Sequence, residues 1–527
     1  MNYCKIGKIL GKIMVLEAVL MLAPLAIAII YQEGLRNILA FAIPGVILAT
    51  LGLLLQIPKP KRAVLYQKEG FALTAMVWIV MTLFGAIPFV INRDVPNYID
   101  AWFEIMSGFT TTGASIIEDI TLMSHSTLFW RSFSHWIGGM GILVFVLIFI
   151  PESNDGSAMH LLRAESPGPQ VGKLASKMKV TARILYLIYL GMTAVLILTL
   201  SLCPSIDYEA MREAFGDEVA ISYQRDHVFH AFLTGFGCAG TGGFGSVPGS
   251  LQYFTPLAQY IVAVSLILFG INFGLYYLIM LGKVVHVLKS EEFKTYFIIL
   301  TVSVGFCFLG LVGNFGAFPQ EYTTEEAFRH SLFQVASLIS TAGFSSTDFN
   351  LWPMLSRMAL LIVMLTGGMA GSTAGGIKMS RVVIAFKGAA VKVRKLINPR
   401  YVPKTKFEGK LIEESTTNDV FSFFTLYFFL LVGVVFLLAF DPVNGQSFTI
   451  ISDGGEYVAT HTFYSNFTAA VSSLCNVGPG FDALGPYASY ANFSYLSKIL
   501  LTITMLIGRL EILPVLILFN PKTWKRT

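Results

Sequence analysis

Five stretches of this chain, Met14–Ile30, Ile38–Leu55, Phe71–Ile91, Ile184–Leu202 and Phe421–Phe440, carry one charged residue between them, Glu17. An apolar run of about 18 residues is long enough to cross the ~30 Å hydrocarbon layer of a membrane as a helix. In lipid every backbone polar group must be satisfied internally, so few other structures are open to such a chain. Charged residues make up 13% of the 527 residues, against about 25% in soluble domains. The apolar run ending at Ile150 adds a further stretch, and nothing resembles a separate soluble domain. The chain reads as a polytopic membrane protein.

Lys5, Lys8 and Lys12 precede the first apolar run, which is long and has no small-residue cleavage site, so it is expected to stay as a first membrane helix. The five cysteines, Cys4, Cys203, Cys238, Cys307 and Cys475, have no C-x-x-C spacing and are expected to be buried thiols. The eight histidines form no metal-ligand pattern.

Basic residues sort onto alternate loops. One set holds Lys59, Lys61, Arg62 and Lys68; Arg163, Lys173, Lys177, Lys179 and Arg183; and Lys283, Lys289 and Lys294. A dense run follows from Lys378 to Lys410, and Lys522, Lys525 and Arg526 close the chain. With the N-terminal lysines this set holds 28 of the 37 basic residues, which places both termini on the cytoplasmic side. The alternate loops are acidic, with Asp94, Asp100, Asp207, Glu209, Glu213, Asp217, Glu218, Glu321, Glu325, Glu326, Asp441, Asp453 and Glu456. Their charge would concentrate cations at the outer face.

On that outer side four weak repeats align without gaps: FEIMSGFTTTGAS (Phe103–Ser115), FLTGFGCAGTGGFGS (Phe232–Ser246), FQVASLISTAGFSS (Phe333–Ser346) and FTAAVSSLCNVGPGF (Phe467–Phe481). They bring Gly113, Gly243, Gly343 and Gly478 into register, with Ala101, Ala231, Ser331 and Asn466 twelve residues upstream. Each unit reads as a span, an acidic loop, a half-length helix, a small-residue segment and a returning span. Twelve helical residues reach only ~18 Å, so the short element must enter and leave by one face, as a pore loop. Non-helical backbone at membrane depth is tolerated only where it lines an enclosed or watery cavity. Four such segments around one axis would offer carbonyls in place of a cation's hydration shell. Small-xxx-small helix packing is the competing explanation of the glycines, but it requires no fourfold register.

Span, pore helix, glycine segment and span, four times in order, resemble the Trk/Ktr/HKT superfamily of potassium transporters. The stretches STAGFSS, CNVGPGF, TAGGIK and IGRLE look like its Trk-type membrane subunits, over residues of about 60–520. The fold implied is all-α: four span–pore loop–span repeats around one central pore, with two extra N-terminal spans. The expected units are 1–60 for the N-terminal pair, then 61–160, 161–290, 291–410 and 411–527 for the repeats. The resemblance implies a potassium-selective filter of backbone carbonyls at Thr111, Thr112 and Gly113; Thr241, Gly242 and Gly243; Thr341, Ala342 and Gly343; and Asn476, Val477 and Gly478. Glycine at all four register positions goes with potassium preference in this superfamily, and serine in the first repeat with sodium permeation. No repeat carries the T-V-G-Y-G motif of potassium channels, so fewer ordered ion sites are expected.

Within the third repeat, LTGGMAGSTAGGIK places Gly367, Gly368, Gly371, Gly375 and Gly376 in ten residues. Each glycine costs a helix about 1 kcal/mol relative to alanine, so this span is expected to break. Arg509 lies inside an apolar span, where a lone arginine costs at least about 2.5–3.5 kcal/mol and marks function. Arg509 and Ala374 both stand 31 residues past their register glycines, hence at similar depth. The loop is expected to cross the pore as a gate, with Arg509 bonded to its carbonyls or repelling cations. The alternative is a structural ion pair of Arg509 with Glu511 or another carboxylate.

The basic run Lys378–Lys410 reads either as ordinary positive-inside charge touching anionic lipid or as a docking surface, with GKLASKMKV (Gly172–Val180) contributing. The resemblance implies a homodimer and a cytosolic RCK-type nucleotide-binding regulatory partner. This chain lacks G-x-G-x-x-G after a strand, so no cofactor is expected beyond potassium as substrate, and no nucleic acid. All repeats share one orientation, unlike the inverted repeats common in alternating-access carriers. The expectation is gated potassium uptake through a multi-pass inner-membrane pore, driven by membrane potential or an ion gradient. A sodium- or ammonium-conducting relative is the alternative. A membrane enzyme is disfavoured, because Glu17, Glu104 and Glu511 form no cluster.

Overall fold

The computed structural model describes residues 2–58, 67–141, 178–313, 322–398, 400, 405–452 and 455–524. Among them six helical stretches are long and apolar enough to cross a membrane: Tyr3–Ile30, Leu35–Gln56, Lys68–Asn92, Ala182–Leu202, Glu291–Val312 and Glu414–Leu438. Two precede the repeats and one opens each repeat, the arrangement the resemblance implies; five of the six coincide with the apolar runs read from the sequence, and Glu291–Val312 is not among them. The segment 172–177 and the apolar run beyond Gly141 lie outside the described residues.

The N-terminal pair is α1 (Tyr3–Leu20), α2 (Leu22–Ile30) and α3 (Leu35–Gln56). α1 and α3 cross at two glycines whose backbones touch. A Cβ on Gly11 would lie 2.5 Å from the Gly52 carbonyl oxygen, and one on Gly52 2.6 Å from that of Gly11. Small residues permit this approach, which gains van der Waals contact where lipid removes any hydrophobic drive.

The first repeat contains α4 (Gln67–Gly85), α5 (Ile87–Asn92), α6 (Tyr98–Phe109) and α7 (His125–Gly139). The second contains α8 (Met178–Leu202), the surface helices α9 (Tyr208–Phe215) and α10 (Asp217–Arg225), then α11 (His227–Gly240), α12 (Pro256–Phe269), α13 (Phe273–Met280) and α14 (Val284–Lys289). The third contains α15 (Glu291–Val312), α16 (Thr324–Ile339), α17 (Met354–Thr366) and α18 (Met379–Ile397), followed by the hairpin β1 (Lys406–Phe407) and β2 (Lys410–Leu411). The fourth contains α19 (Glu414–Leu438), the hairpin β3 (Ser447–Ser452) and β4 (Gly455–Thr460), α20 (Phe463–Cys475), α21 (Tyr495–Arg509), α22 (Leu513–Phe519) and α23 (Pro521–Trp524). Both hairpins are antiparallel. The fold is mostly helical, and these two hairpins are additions the all-helical expectation did not contain.

The half-length helices are α6, α11, α16 and α20, of 12, 14, 16 and 13 residues. Three have side-chain caps that fix where they start. Asn97 accepts from the Ile99 N–H at 2.8 Å, and Thr323 forms a reciprocal box with Glu326. Thr462 accepts from the Tyr464 N–H at 3.2 Å. Such caps satisfy N–H groups that a helix start leaves orphaned.

The returning spans differ from expectation. The sequence places a break only in the third, but α7, α12, α17 and α21 are 15, 14, 13 and 15 residues long, and all four end around the glycine loop that follows α17 or at Arg509. None covers more than about 22 Å at 1.5 Å per residue. α12 and α13 meet at a 90° bend over Gly270–Asn272. After α21, Glu511 and Ile512 turn left-handed, at φ 55° and 69°. After α7, Gly141 does the same at 81°. Gly138, Gly139, Gly270, Gly367 and Gly508 supply the weak points, singly or in pairs, where only a glycine-dense cluster was read as a break.

Leucine at position 52 must push α3 off α1. Gly52→Leu is expected to cost about 1–3 kcal/mol, the usual range for overpacking, and to lower the midpoint of thermal unfolding in detergent. Gly45→Leu is the tolerated control, since its Cβ meets nothing nearer than 3.8 Å.

Candidate functional site

The four small-residue segments share one backbone geometry. Thr111, Thr241, Thr341 and Asn476 are left-handed, at φ 55°, 53°, 57° and 55°. The next residues, Thr112, Gly242, Ala342 and Val477, donate their N–H to carbonyls five residues back, those of Ser107, Gly237, Ser337 and Ser472, at 2.8–3.0 Å. This left-handed residue with a six-to-one bond is the Schellman way of ending a helix. It folds these four donors back into their own helices. Among the described residues the carbonyls of Thr112, Gly242, Ala342 and Val477 accept no hydrogen bond.

Those carbonyls and the register glycines close into a ring. A Cβ on Gly113 would lie 2.1 Å from the Gly242 oxygen, one on Gly243 1.8 Å from that of Ala342, one on Gly343 1.9 Å from that of Val477, and one on Gly478 2.7 Å from that of Thr112. The register glycines themselves are left-handed, at φ 81°, 75°, 80° and 105°. Both the space and the torsion exclude a side chain. The structure therefore brings together all twelve segment residues read from the sequence. The ring stands where four helix C-termini meet, and the partial negative charge at those ends favours a cation.

Above the ring lies a cavity of about 840 Å³, lined by the four register glycines, by Glu118 and Asp119, and by β3. A different polar clamp closes each seam between repeats. Between the first and second, buried Arg131 donates to Glu104 at 2.6 Å and to the Gly245 carbonyl at 3.0 Å. Glu104 in turn accepts from the Ile116 N–H at 2.9 Å. Arg329 bonds Gln259 between the second and third. Asn350 donates to the Asp482 carbonyl at 2.9 Å between the third and fourth, and Lys498 to Asp100 at 2.7 Å between the fourth and first. No shared sequence pattern announces these clamps, because each uses different residue types. Glu104, which looked isolated, is half of an ion pair.

Below the ring runs the glycine loop between α17 and α18. Gly375 donates to the Thr341 hydroxyl at 2.6 Å and Gly376 to the Cys475 carbonyl at 2.8 Å. Gly367, Gly371 and Gly376 are left-handed, and Gly368 packs its α-carbon against the loop's own Ala374. The loop seats on the bend of the second repeat: Met369 donates to the Gly270 carbonyl and Phe273 to that of Gly371, both at 3.0 Å. Arg509 reaches the same place from the fourth repeat. It donates to the Thr373 carbonyl and the Thr111 hydroxyl at 3.1 Å each, and to the carbonyls of Gly138 and Gly139 at 2.5 and 2.9 Å. Loop and arginine thus touch all four repeats directly beneath the ring.

Glu511 does not pair with Arg509, the structural alternative raised by the sequence. It pairs with Arg381 at the start of α18, whose guanidinium lies 4.1 Å from the Phe423 ring centroid. Sequence reasoning also passed over Glu292 and Asn272, which touch the loop. Glu292 had one visible signal, as an acid buried at the start of a span on the basic side.

The chain is similar to known proteins over its whole length. The TrkH family model, described as a cation transport protein, matches residues 37–526. The Trk system potassium uptake protein TrkH of Escherichia coli K12 is 31% identical over 100% of both chains. TrkG of the same organism is 29% identical, over 98% of this chain and 97% of the relative. The crystal structure of the potassium transporter TrkH from Vibrio parahaemolyticus superposes with a TM-score of 0.80 at 29% identity, covering 100% of both chains.

If the ring holds monovalent cations, they must stabilise the folded protein by mass action. Added potassium or rubidium is expected to raise the thermal midpoint of the parent protein. Gly243→Ala, which drives a Cβ into the Ala342 oxygen, is expected to abolish that rise.

Proposed function

This chain belongs to the TrkH family of cation transport proteins, and we propose on that premise that it carries potassium inward across a membrane through the carbonyl ring, past the loop beneath it. The carrying observation is the ring: four unbonded carbonyls against four left-handed glycines, closing in cyclic order. A partly dehydrated potassium ion needs several oxygen ligands at once. Carbonyl dipoles supply them with no net charge that would trap the ion. The acidic cavity above gathers cations, and the membrane potential supplies the drive.

The loop from Gly367 to Gly376 and Arg509 form the gate. A guanidinium fixed beneath the ring opposes an entering cation, and the loop occupies the pathway. Conduction requires the loop to leave the Thr341 hydroxyl and the Cys475 carbonyl and Arg509 to leave Thr373.

The basic loops support a cytoplasmic position for both termini. α18 ends there with Leu396 and Ile397 about 80% exposed among Lys392, Arg394 and Lys395, a surface suited to a protein neighbour. The relatives are named as potassium uptake proteins of a Trk system, a name that supports further components. A nucleotide-binding cytosolic regulator on this face, and a second copy of the chain, complete the reading.

Purified protein in liposomes is expected to pass potassium and rubidium in preference to sodium and ammonium. Gly113→Ser is expected to raise relative sodium flux. Equal passage of all four cations by both proteins excludes the ring as a potassium filter. Arg509→Ala is expected to raise potassium flux about tenfold at unchanged selectivity, since the charge-assisted bonds it removes contribute about 1.5–3 kcal/mol each.

A further inference from the structure

The loop is held from below by a residue outside the pore. Glu292, 6% exposed in the first turn of α15, accepts at one carboxylate oxygen from the Ala370 N–H at 2.8 Å and from the Ser380 N–H at 3.0 Å. Ala370 is in the middle of the loop and Ser380 in the first turn of α18. Lys378, the residue before α18, gives that helix no side-chain cap. A carboxylate from another helix therefore does the capping, at the end where a helix dipole favours an anion, and ties the loop to the same atom. Lys378 donates to the Ala374 carbonyl, so the loop's own acceptor is held as well.

Glu292 is itself held from the basic face. The turn between β1 and β2 is Glu408-Gly409, both left-handed at φ 50° and 72°, the two-residue turn that suits a tight hairpin. Glu408 accepts from the Ser290 hydroxyl at 2.8 Å and from the Glu292 N–H at 3.0 Å, capping α15 from outside. Its own N–H donates to Glu291 at 3.1 Å. Lys387 of α18 donates to Glu291 at 2.6 Å and to the Lys406 carbonyl at 2.9 Å. Phe407, 2% exposed, packs with Val383, Ile384 and Val420. Hairpin, helix start and loop are thus one continuous set of bonds.

We propose that Glu292 is a positioning residue that holds the loop across the pathway, and that the hairpin Lys406–Leu411 acts on it through Glu408 as the cytoplasmic lever of the gate. This rests on the loop being the gate. A regulator that draws the hairpin away removes the outer cap that Glu408 gives α15, leaving that of Ser290 on the Phe293 N–H, and slackens Glu292. The loop then loses the bond that ties Ala370 to Ser380, while the ring above is untouched.

The test is rubidium and sodium flux into liposomes for the parent, Glu292→Ala, Glu292→Gln, Glu408→Ala, the Glu292/Glu408 double alanine variant and a variant lacking Gly367–Gly376, without added partner. Glu292→Ala is expected to raise rubidium flux about tenfold, the effect on an equilibrium of losing one charge-assisted hydrogen bond of ordinary strength. Glu292→Gln, which keeps an acceptor oxygen, is expected to fall between it and the parent, with the rubidium-to-sodium ratio unchanged throughout. Glu408→Ala is expected to raise flux less, and the double variant no more than Glu292→Ala, because the two act in series. Parent-level flux in Glu292→Ala beside a freely conducting loop deletion overturns the proposal and leaves the gate standing. A loop deletion that stays closed overturns the gate itself. Should Glu292→Ala fail to fold, Glu408→Ala decides alone, and parent-level flux there overturns the lever.

Discussion

The architecture depends on how four short helices end. A helix C-terminus leaves carbonyls unsatisfied, and in lipid each would cost several kcal/mol. Here each helix turns left-handed at Thr111, Thr241, Thr341 or Asn476 and bonds its next N–H five residues back. The donors are consumed locally and the acceptors face one another across the ring. The pattern is stable only if something polar occupies the axis, and water or a cation are the candidates the chemistry allows. The two N-terminal spans and the four opening spans shield this backbone from lipid.

The second constraint lies just beneath. All four returning helices end around the glycine loop and Arg509, which leaves a second set of helix-end carbonyls under the ring. Arg509 answers part of that need by donating to the carbonyls of Gly138, Gly139 and Thr373. The arginine and the loop satisfy one another's polar groups where they meet. The carboxylates lie one layer further out. Glu511 holds Arg381, and Glu292 holds the start of α18.

The seams between repeats show why a fourfold pattern coexists with so little sequence identity. The ring demands backbone geometry, and only glycine at one position and a tolerant residue two before it are needed. The clamps that pull the repeats together, Arg131 with Gly245, Arg329 with Gln259, Asn350 with Asp482 and Lys498 with Asp100, use unrelated side chains. Each needs only to satisfy a buried polar group.

What the sequence by itself determined is whatever follows from local chemistry. Apolar run length marked five of the six spans. Half-length helices ending in small residues disclosed four pore segments, and a register on Gly113, Gly243, Gly343 and Gly478 aligned them. The glycine cluster after Leu365 announced the broken helix, and an arginine in an apolar run pointed to Arg509. Only the tertiary structure decided which groups meet. It paired Glu511 with Arg381 rather than with Arg509, bent the second repeat at Gly270–Asn272, and folded a hairpin from a run that reads as bare positive charge. It also set Glu292 beneath the loop from 78 residues upstream of Ala370. The reason is physical. Spans, caps and breaks are fixed by neighbours along the chain, whereas a buried carboxylate is satisfied by whichever N–H the packing of distant helices delivers to it.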